Sequence, residues 1–361
     1  MRVLLAGGGS GGSTTPVLAV AQELRGRRSC EFLYVGTETG PERELVSSLG
    51  IPFRTVQTGK LRRYWSLQNL LDLVRIPAGL VESVALVRSF RPDVAFAAGG
   101  FGAVPPLLAT SLLRVPTVIH QQDVEPGLAN RILAPFATAV TVTFPPSLNH
   151  FPRPKTTITG NPVRREIPAG SREEAIRIFR LRPDLPTVLV TGGGTGALGL
   201  NRLVAGAAPL LTPACQILHV TGRGKGVEVP ELGSSYRQVE FLTDEMPHAL
   251  AAAELVVGRA GLSTLTEIAA LGKPSLLVPM PRSHQNANAE AFAAGGAALV
   301  LQEDELSPER LAEAILALLR DEKRLTALGE HARSMMPPRA EVRIADVVER
   351  VAKRRGDGVT G

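Results

Sequence analysis

Only two cysteines occur in 361 residues, Cys30 and Cys215. Lying one in each half of the chain, they supply neither a disulfide framework nor the ligand spacing of a zinc site. The six histidines are scattered, with no His-x-His or His-Glu-x-x-His grouping, so no metal signature is present. Aromatic side chains make up 4% of the chain, with a single tryptophan. Few of them are interleaved with basic residues, which argues against a nucleic-acid-binding face. No stretch reaches the roughly 18 uninterrupted apolar residues of a membrane-spanning helix. The apolar opening, Met1 to Ala6, is too short for a secretory signal and runs straight into a glycine turn, so the chain is expected in the cytoplasm.

What the chain does have is glycine at two telling places, Gly7-Gly8-Gly9-Ser10-Gly11-Gly12 and Gly192-Gly193-Gly194-Thr195-Gly196, 185 positions apart. Each follows a short apolar run (Val3 to Ala6, Val188 to Thr191) and opens onto a helical pattern. Without Cβ atoms the backbone turns tightly and approaches a ligand closely, while a helix N-terminus offers free N–H groups to a phosphate. Plain strand-to-helix packing uses the same turn, so the pattern alone does not specify a ligand.

The length fits two domains of about 150 residues each. Strand-like runs at Val3–Ala6, Phe32–Val35, Val94–Ala97 and Thr117–His120 alternate with helical patterns, and the scheme repeats at Val188–Thr191, Gln216–Val220, Leu255–Val257 and Ser275–Val278. This alternation predicts an α/β fold of two doubly wound, Rossmann-like domains. The first helix is expected over Pro16 to Arg25, with Pro16 in its first turn and Gly26 stopping it. Ser307-Pro308-Glu309 reads as a helix start. The segment Thr159 to Arg164 reads as a hinge, which gives an acceptor- and membrane-facing domain over 1–162 and a nucleotide-binding domain over 163–338. Residues 339–361 form a last helix that packs back on the first domain. Charge follows the same division, at +7 over residues 1–164 and −1 over the rest. A basic half suits an acidic small substrate or an anionic surface.

The densest chemical segment is Gly258 to Glu267, where a small-residue turn leads to the hydroxyls of Ser263 and Thr264 at a helix start and then to a carboxylate. That arrangement can hold phosphates and accept both hydroxyls of a ribose. The competing reading makes Glu267 a first-turn acid that stabilises the helix dipole by about 0.3–1 kcal/mol. The loop Pro279 to Glu290 then carries His284, Gln285, Asn286 and Asn288, and amides, which both donate and accept, suit sugar hydroxyls.

Gly-x-Ala-Gly-x-Ser-x-x-x-Glu (258–267), followed by His284-Gln285-x-x-Asn288-Ala289, resembles the donor-sugar site of the MurG family. These are the bacterial UDP-N-acetylglucosamine transferases that complete lipid II. The resemblance continues in Gly7 to Gly12, in Gly99-Gly100-Phe101 and in Gly160-Asn161-Pro162-Val163-Arg164. It also covers His120-Gln121-Gln122-Asp123 with Pro126 to Asn130, which stands where the family has His-Glu-Gln-Asn. Running from residue 1 to about 320, it implies a GT-B type fold with an interdomain cleft. It also implies inverting transfer of N-acetylglucosamine to the MurNAc 4-hydroxyl of a polyprenyl-linked acceptor at the inner face of the membrane.

Carried over residue by residue, the resemblance implies that Glu267 holds the ribose, that the backbone at Leu242 meets the uracil, and that Gln285 and Asn288 read the sugar. Arg164 and Gly193, Gly194, Thr195 and Gly196 would face the diphosphate. Gly11, Gly12, Asn130 and Ser263 complete the binding set. No metal or other cofactor is implied, because N–H groups and an arginine can stabilise the departing UDP.

Three departures from the family pattern matter: Ser13 for a histidine, Gln121 for an acid and Gly194 for a serine. The stretch Pro279 to Gln285 is also a few residues short. Serine is too weak a base to replace histidine, and loss of a base altogether lowers the rate by roughly 10²–10⁴. The remaining candidates for a proton acceptor are His120, Asp123 and Glu125, whose bland alternative is a satisfied strand-end histidine and two solvated acids. For the acceptor, Lys60-Leu61-Arg62-Arg63-Tyr64-Trp65 and the leucine-rich pattern from Leu67 to Leu80 suit an anionic membrane surface; a buried amphipathic helix with a basic edge fits equally. Other readings remain open here. One is a GT-B transferase with another lipid or small-molecule acceptor, a second is a weakly active UDP-sugar-binding paralogue, and a third is a nicotinamide-dependent dehydrogenase using the first turn and Glu38. The last leaves Glu267 and Gln285 without a role.

Overall fold

The computed structural model describes all residues except 9–10, 39, 41, 59–66 and 358–361, and for 67–76 and 354–357 only the backbone. The chain forms two compact units, one of Met1–Pro162 with Pro337–Gly361 and one of Val163–Met336.

Unit 1 contains strands β1 (Arg2–Ala6), β2 (Glu31–Gly36), β3 (Phe53–Thr55), β4 (Val94–Ala97), β5 (Thr117–Gln121), β6 (Ala139–Val142) and β7 (Thr156–Ile158). Its helices before the crossing are α1 (Gly11–Arg27), α2 (Glu42–Ser47), α3 (Leu67–Phe90), α4 (Val104–Leu112) and α5 (Leu128–Leu133). The strands form one parallel sheet in the order β3-β2-β1-β4-β5-β6-β7. Strand periodicity sorts the core: Val3, Leu5, Val94 and Phe96 face one layer, and Leu4, Ala6, Ala95 and Ala97 the other. Each fully buried aliphatic side chain contributes about 1.5–3 kcal/mol, so both layers are well supported.

Unit 2 adds β8 (Thr187–Thr191), β9 (Gln216–Val220), β10 (Tyr236–Val239), β11 (Leu255–Gly258), β12 (Ser275–Leu277) and β13 (Leu299–Val300). Its helices are α6 (Arg172–Phe179), α7 (Leu198–Leu211), α8 (Met246–Ala252), α9 (Leu262–Leu271), α10 (Gln285–Ala294), α11 (Pro308–Arg320) and α12 (Glu322–Ser334). The sheet, again parallel, runs β10-β9-β8-β11-β12-β13. In both units the strand order reverses beside the first strand, where ligands of open parallel sheets bind at the carboxyl ends.

The final helix, α13 (Ala340–Asp357), belongs to unit 1. Ile344, Ala345, Val348 and Val351 join the layer that holds α1, and Arg27 fastens the pair by donating to Asp346 (2.6 Å) and to the carbonyl of Val342 (3.1 Å). The return crossing falls at Met336–Pro337 rather than after residue 338. Gly160, with φ of +77°, explains this: a Cβ there would lie 2.8 Å from the carbonyl oxygen of Pro337, so Pro337 is packed into unit 1.

Other differences from expectation are local. Helix α1 starts at Gly11, which leaves Pro16 inside it, and runs through Gly26 to Arg27. Proline there removes the N–H that would bond the carbonyl of Gly12, and a glycine four residues before it eases the ring's approach. Short edge strands β3, β7 and β13, and also β6 and β10, have no clear apolar run in the sequence. Ser307 caps α11 by accepting from the N–H of Arg310, with Pro308 in the first position. The basic segment Lys60 to Trp65 lies outside the described residues, as do the side chains of Leu67, Leu70, Leu71, Val74, Arg75 and Ile76.

Candidate active site

In unit 2 the loops leaving β8, β11 and β12 come together. Gly193 has φ of +76°, and a Cβ on it would stand 3.9 Å from Oγ1 of Thr264, so the glycine turn lies beside the start of α9. Gly196, φ +69°, has no room for a side chain, since its Cβ would lie 2.2 Å from the carbonyl oxygen of Thr221. Gly194 and Thr195 are exposed, and nothing lies within 4 Å of a Cβ on Gly194, so the serine of the family pattern would fit. Nζ of Lys225 donates to the carbonyls of Thr195 (2.8 Å) and Gly196 (3.1 Å), which fixes the turn and sets a cation beside it. The turn, a helix N-terminus and this ammonium together favour an anion.

Glu267 stands in the second turn of α9, so it is not a first-turn acid. Its Oε1 accepts from Nε of Arg164 at 2.9 Å and pairs with Nη2 at 2.8 Å, and the carboxylate is mostly buried. Burial pushes the Glu267 carboxyl above the ordinary carboxylate range, while the charge and hydrogen bond of Arg164 oppose that rise. Arg164 and Glu267, expected to serve phosphate and ribose separately, are thus partners of one another here. Ser263 is exposed at the helix start.

Gln285 opens α10, and its Oε1 accepts from the N–H of Met280 at 3.1 Å, bracing the short loop between them. Its Nε2 lies 4.0 Å from where a Cβ on Gly261 would be. Asn288 is fully buried, and its Nδ2 donates to the carbonyl of Ala260 at 3.1 Å, which braces the Gly258–Gly261 turn. His284 is exposed, and the side chain of Leu242 is buried just after β10.

Sequence reading missed Arg259. Its Nη1 donates to the carbonyls of Val278 (3.0 Å) and Pro279 (3.1 Å) and pairs with Glu303 at 2.5 Å, tying the turns after β11 and β12 together. Nothing local in the sequence couples residues 259 and 303.

In unit 1, His120 is fully buried. Its Nδ1 lies 2.9 Å from Oγ1 of Thr141 and its Nε2 3.0 Å from Oδ1 of Asn161. Burial lowers its pKa to about 4, against the smaller opposing effect of those hydrogen bonds. With both ring nitrogens engaged it has no free lone pair for a substrate proton, so His120 leaves the set of proton acceptors. Ser13 is buried in the first turn of α1, with its Oγ 3.1 Å from a Cβ position on Gly100. Gly11 and Gly12 begin that helix.

Asp123 is half-buried and Glu125 exposed on the loop leaving β5. Ser147 Oγ donates to the carbonyls of Asp123 and Val124 (3.4 and 3.2 Å). Asn130 is buried, and its Nδ2 donates to the carbonyl of His120 (3.0 Å) and to Oε1 of Gln121 (2.7 Å). Among the described residues, its buried Oδ1 has no hydrogen-bond partner.

Two doubly wound parallel units, with a phosphate-type turn and a carboxylate on the following helix, define a glycosyltransferase of the GT-B type. Residues 3–142 match the glycosyltransferase family 28 N-terminal domain, and 187–350 match the family 28 C-terminal domain. The chain belongs to glycosyltransferase family 28 and, within it, to the MurG group. A relative from Lachnoclostridium phytofermentans, named UDP-N-acetylglucosamine--N-acetylmuramyl-(pentapeptide) pyrophosphoryl-undecaprenol N-acetylglucosamine transferase, is 37% identical over 318 residues, 87% of this chain and 89% of its own. One of the same name from Shouchella clausii is 37% identical over 321 residues, 88% and 90% of the two chains. The crystal structure of Acinetobacter baumannii MurG matches with a TM-score of 0.76 at 26% identity, covering 97% of this chain and 99% of that one.

Proposed function

We propose that this protein transfers N-acetylglucosamine from UDP-N-acetylglucosamine to the MurNAc 4-hydroxyl of lipid I, making lipid II for peptidoglycan. The observation that carries the reading is the convergence in unit 2 of the Gly193 turn, the start of α9, Gln285 and the Arg164–Glu267 pair. Unit 2 takes the donor: the turn and Lys225 face the diphosphate, Glu267 accepts from the ribose, Gln285 reads the sugar, and the backbone at Leu242 meets the uracil. Arg164 has two roles in this account, holding Glu267 in the free enzyme and turning toward phosphate when donor binds.

Unit 1 supplies the acceptor and the base. The acceptor oxygen bonds to C1 of the sugar as the bond from C1 to the UDP oxygen breaks, and UDP leaves with the electron pair. The hydroxyl proton passes to a carboxylate, which we assign to Asp123 because it is half-buried where Glu125 is exposed. Charge gathering on UDP meets N–H groups and arginine, so no divalent cation enters this scheme. The basic segment Lys60 to Trp65 would bring the enzyme to the anionic inner face of the membrane, where a polyprenyl-linked substrate resides. No described helix is long and apolar enough to cross a membrane.

Transfer from UDP-N-acetylglucosamine to a lipid I analogue, measured with and without EDTA, tests the reading. The expected result is turnover that chelation leaves unchanged and that falls by roughly 10²–10⁴ in an Asp123→Ala, Glu125→Ala variant. No transfer by the wild type would reject the activity, and undiminished turnover in the double variant would remove both acids from the base role.

A further inference from the structure

The amide at position 121, where a family member would carry an acid, is fully used. Gln121 is buried at the end of β5, and its Oε1 accepts from Nδ2 of Asn130 at 2.7 Å. Its Nε2 donates to the carbonyl of Asp123 at 2.8 Å and to that of Glu125 at 3.0 Å. A carboxamide has one acceptor and two N–H donors at its tip, matching this set of partners one for one. An ionised glutamate in the same place would meet two carbonyl oxygens with no proton to offer, and a protonated one could satisfy only one of them. Two part-buried carbonyls would lose the amide donor and face a carboxylate oxygen instead, so the loop would move. The neighbouring Gln122 donates to the carbonyl of Ala98 at 2.9 Å, and Ser147 bonds the same loop from the other side.

We infer that Gln121 is a positioning residue for the transfer, its carboxamide clasping the loop that presents Asp123. The exchange of acid for amide at 121 therefore adds a clasp rather than only removing a base. The inference rests on the assignment of Asp123 as proton acceptor. Gln121 touches no reacting atom; it sets where the Asp123 carboxylate stands, and a displacement of about 1 Å at such a group can cost about 100-fold.

The test is a cycle of Gln121→Glu, Asp123→Asn and the pair, read by kcat, by KM for each substrate, and by the thermal shift that UDP-N-acetylglucosamine produces. Gln121→Glu should lower kcat by about 10- to 100-fold with the donor KM and the donor-induced shift unchanged, which also shows that the variant is folded. In the Asp123→Asn background it should add less than about a three-fold loss, because a residue that acts through another is not additive with it. An unchanged kcat in Gln121→Glu, or the same factor in both backgrounds, would overturn the inference. If Asp123→Asn alone leaves kcat untouched, the base assignment has failed, and the inference falls with it. That outcome is distinct from a failure of the clasp.

Discussion

Glu267 is a buried carboxylate held by one guanidinium, and that fact governs how the donor site should respond to substitution and pH. Removing its charge in Glu267→Gln keeps the shape but weakens the acceptor for the ribose hydroxyls. Hydrogen bonds to charged groups contribute about 1.5–3 kcal/mol, so the donor KM should rise by about 10- to 100-fold. Because burial raises the Glu267 pKa, protonation begins at a higher pH than for a solvated carboxylate. The affinity for UDP-N-acetylglucosamine should therefore fall on acidification before the ordinary carboxylate range is reached. Titration calorimetry across pH would show this; affinity flat down to pH 4 would separate Glu267 from the ribose.

Elements carry their own constraints, seen most plainly at residues with positive φ. Arg180, with φ of +52° and ψ of +47°, ends α6 in the left-handed conformation that glycine adopts without cost. Arg180→Gly should stabilise unit 2 by about 1 kcal/mol, a rise of about 2–4 °C in its melting temperature. The donor turn gives a contrasting pair. Gly196→Ala forces a Cβ against the carbonyl of Thr221 at a positive φ and should unfold or badly destabilise the unit, whereas Gly194→Ser meets open space and should leave the melting temperature unchanged. A calorimetric scan of the two variants checks both statements. Equal stability would mean that the turn is not built as described.

At the scale of the whole molecule, each unit contains a buried histidine on an interior strand. His219 parallels His120, with Nδ1 2.7 Å from the hydroxyl of Tyr236 and Nε2 3.1 Å from Oδ1 of Asn201. Burial lowers both pKa values to about 4. An unfolded histidine takes up its proton near pH 6.5. Between these limits the unfolded chain therefore binds more protons than the folded one, and stability must fall as pH drops. The loss should be about 2 kcal/mol per histidine between pH 7 and pH 5. Urea unfolding at the two pH values measures it, and His219→Gln should flatten the dependence for unit 2. Stability that does not change over this range would contradict the buried, neutral state of both rings.

Much of this was written in local sequence. Alternating apolar runs and glycine turns specify parallel strands and the helices that cover them, because strand and helix periods and positive-φ turns are short-range properties. The order Gly258 to Glu267, then Gln285, likewise announced residues that the fold brings together, since turns leaving neighbouring parallel strands at the same end converge. Edge strands such as β3 and β13, with few buried residues, left too little pattern to read. What tertiary structure alone decided is which polar groups are consumed inside the protein. His120 is spent on Asn161, 41 positions away, Asn288 on Ala260, Arg259 on Glu303, and Gln121 on a loop and a helix together. A buried donor or acceptor must find its partner wherever the fold brings one, and for His120, Asn288 and Arg259 that partner is distant in the chain.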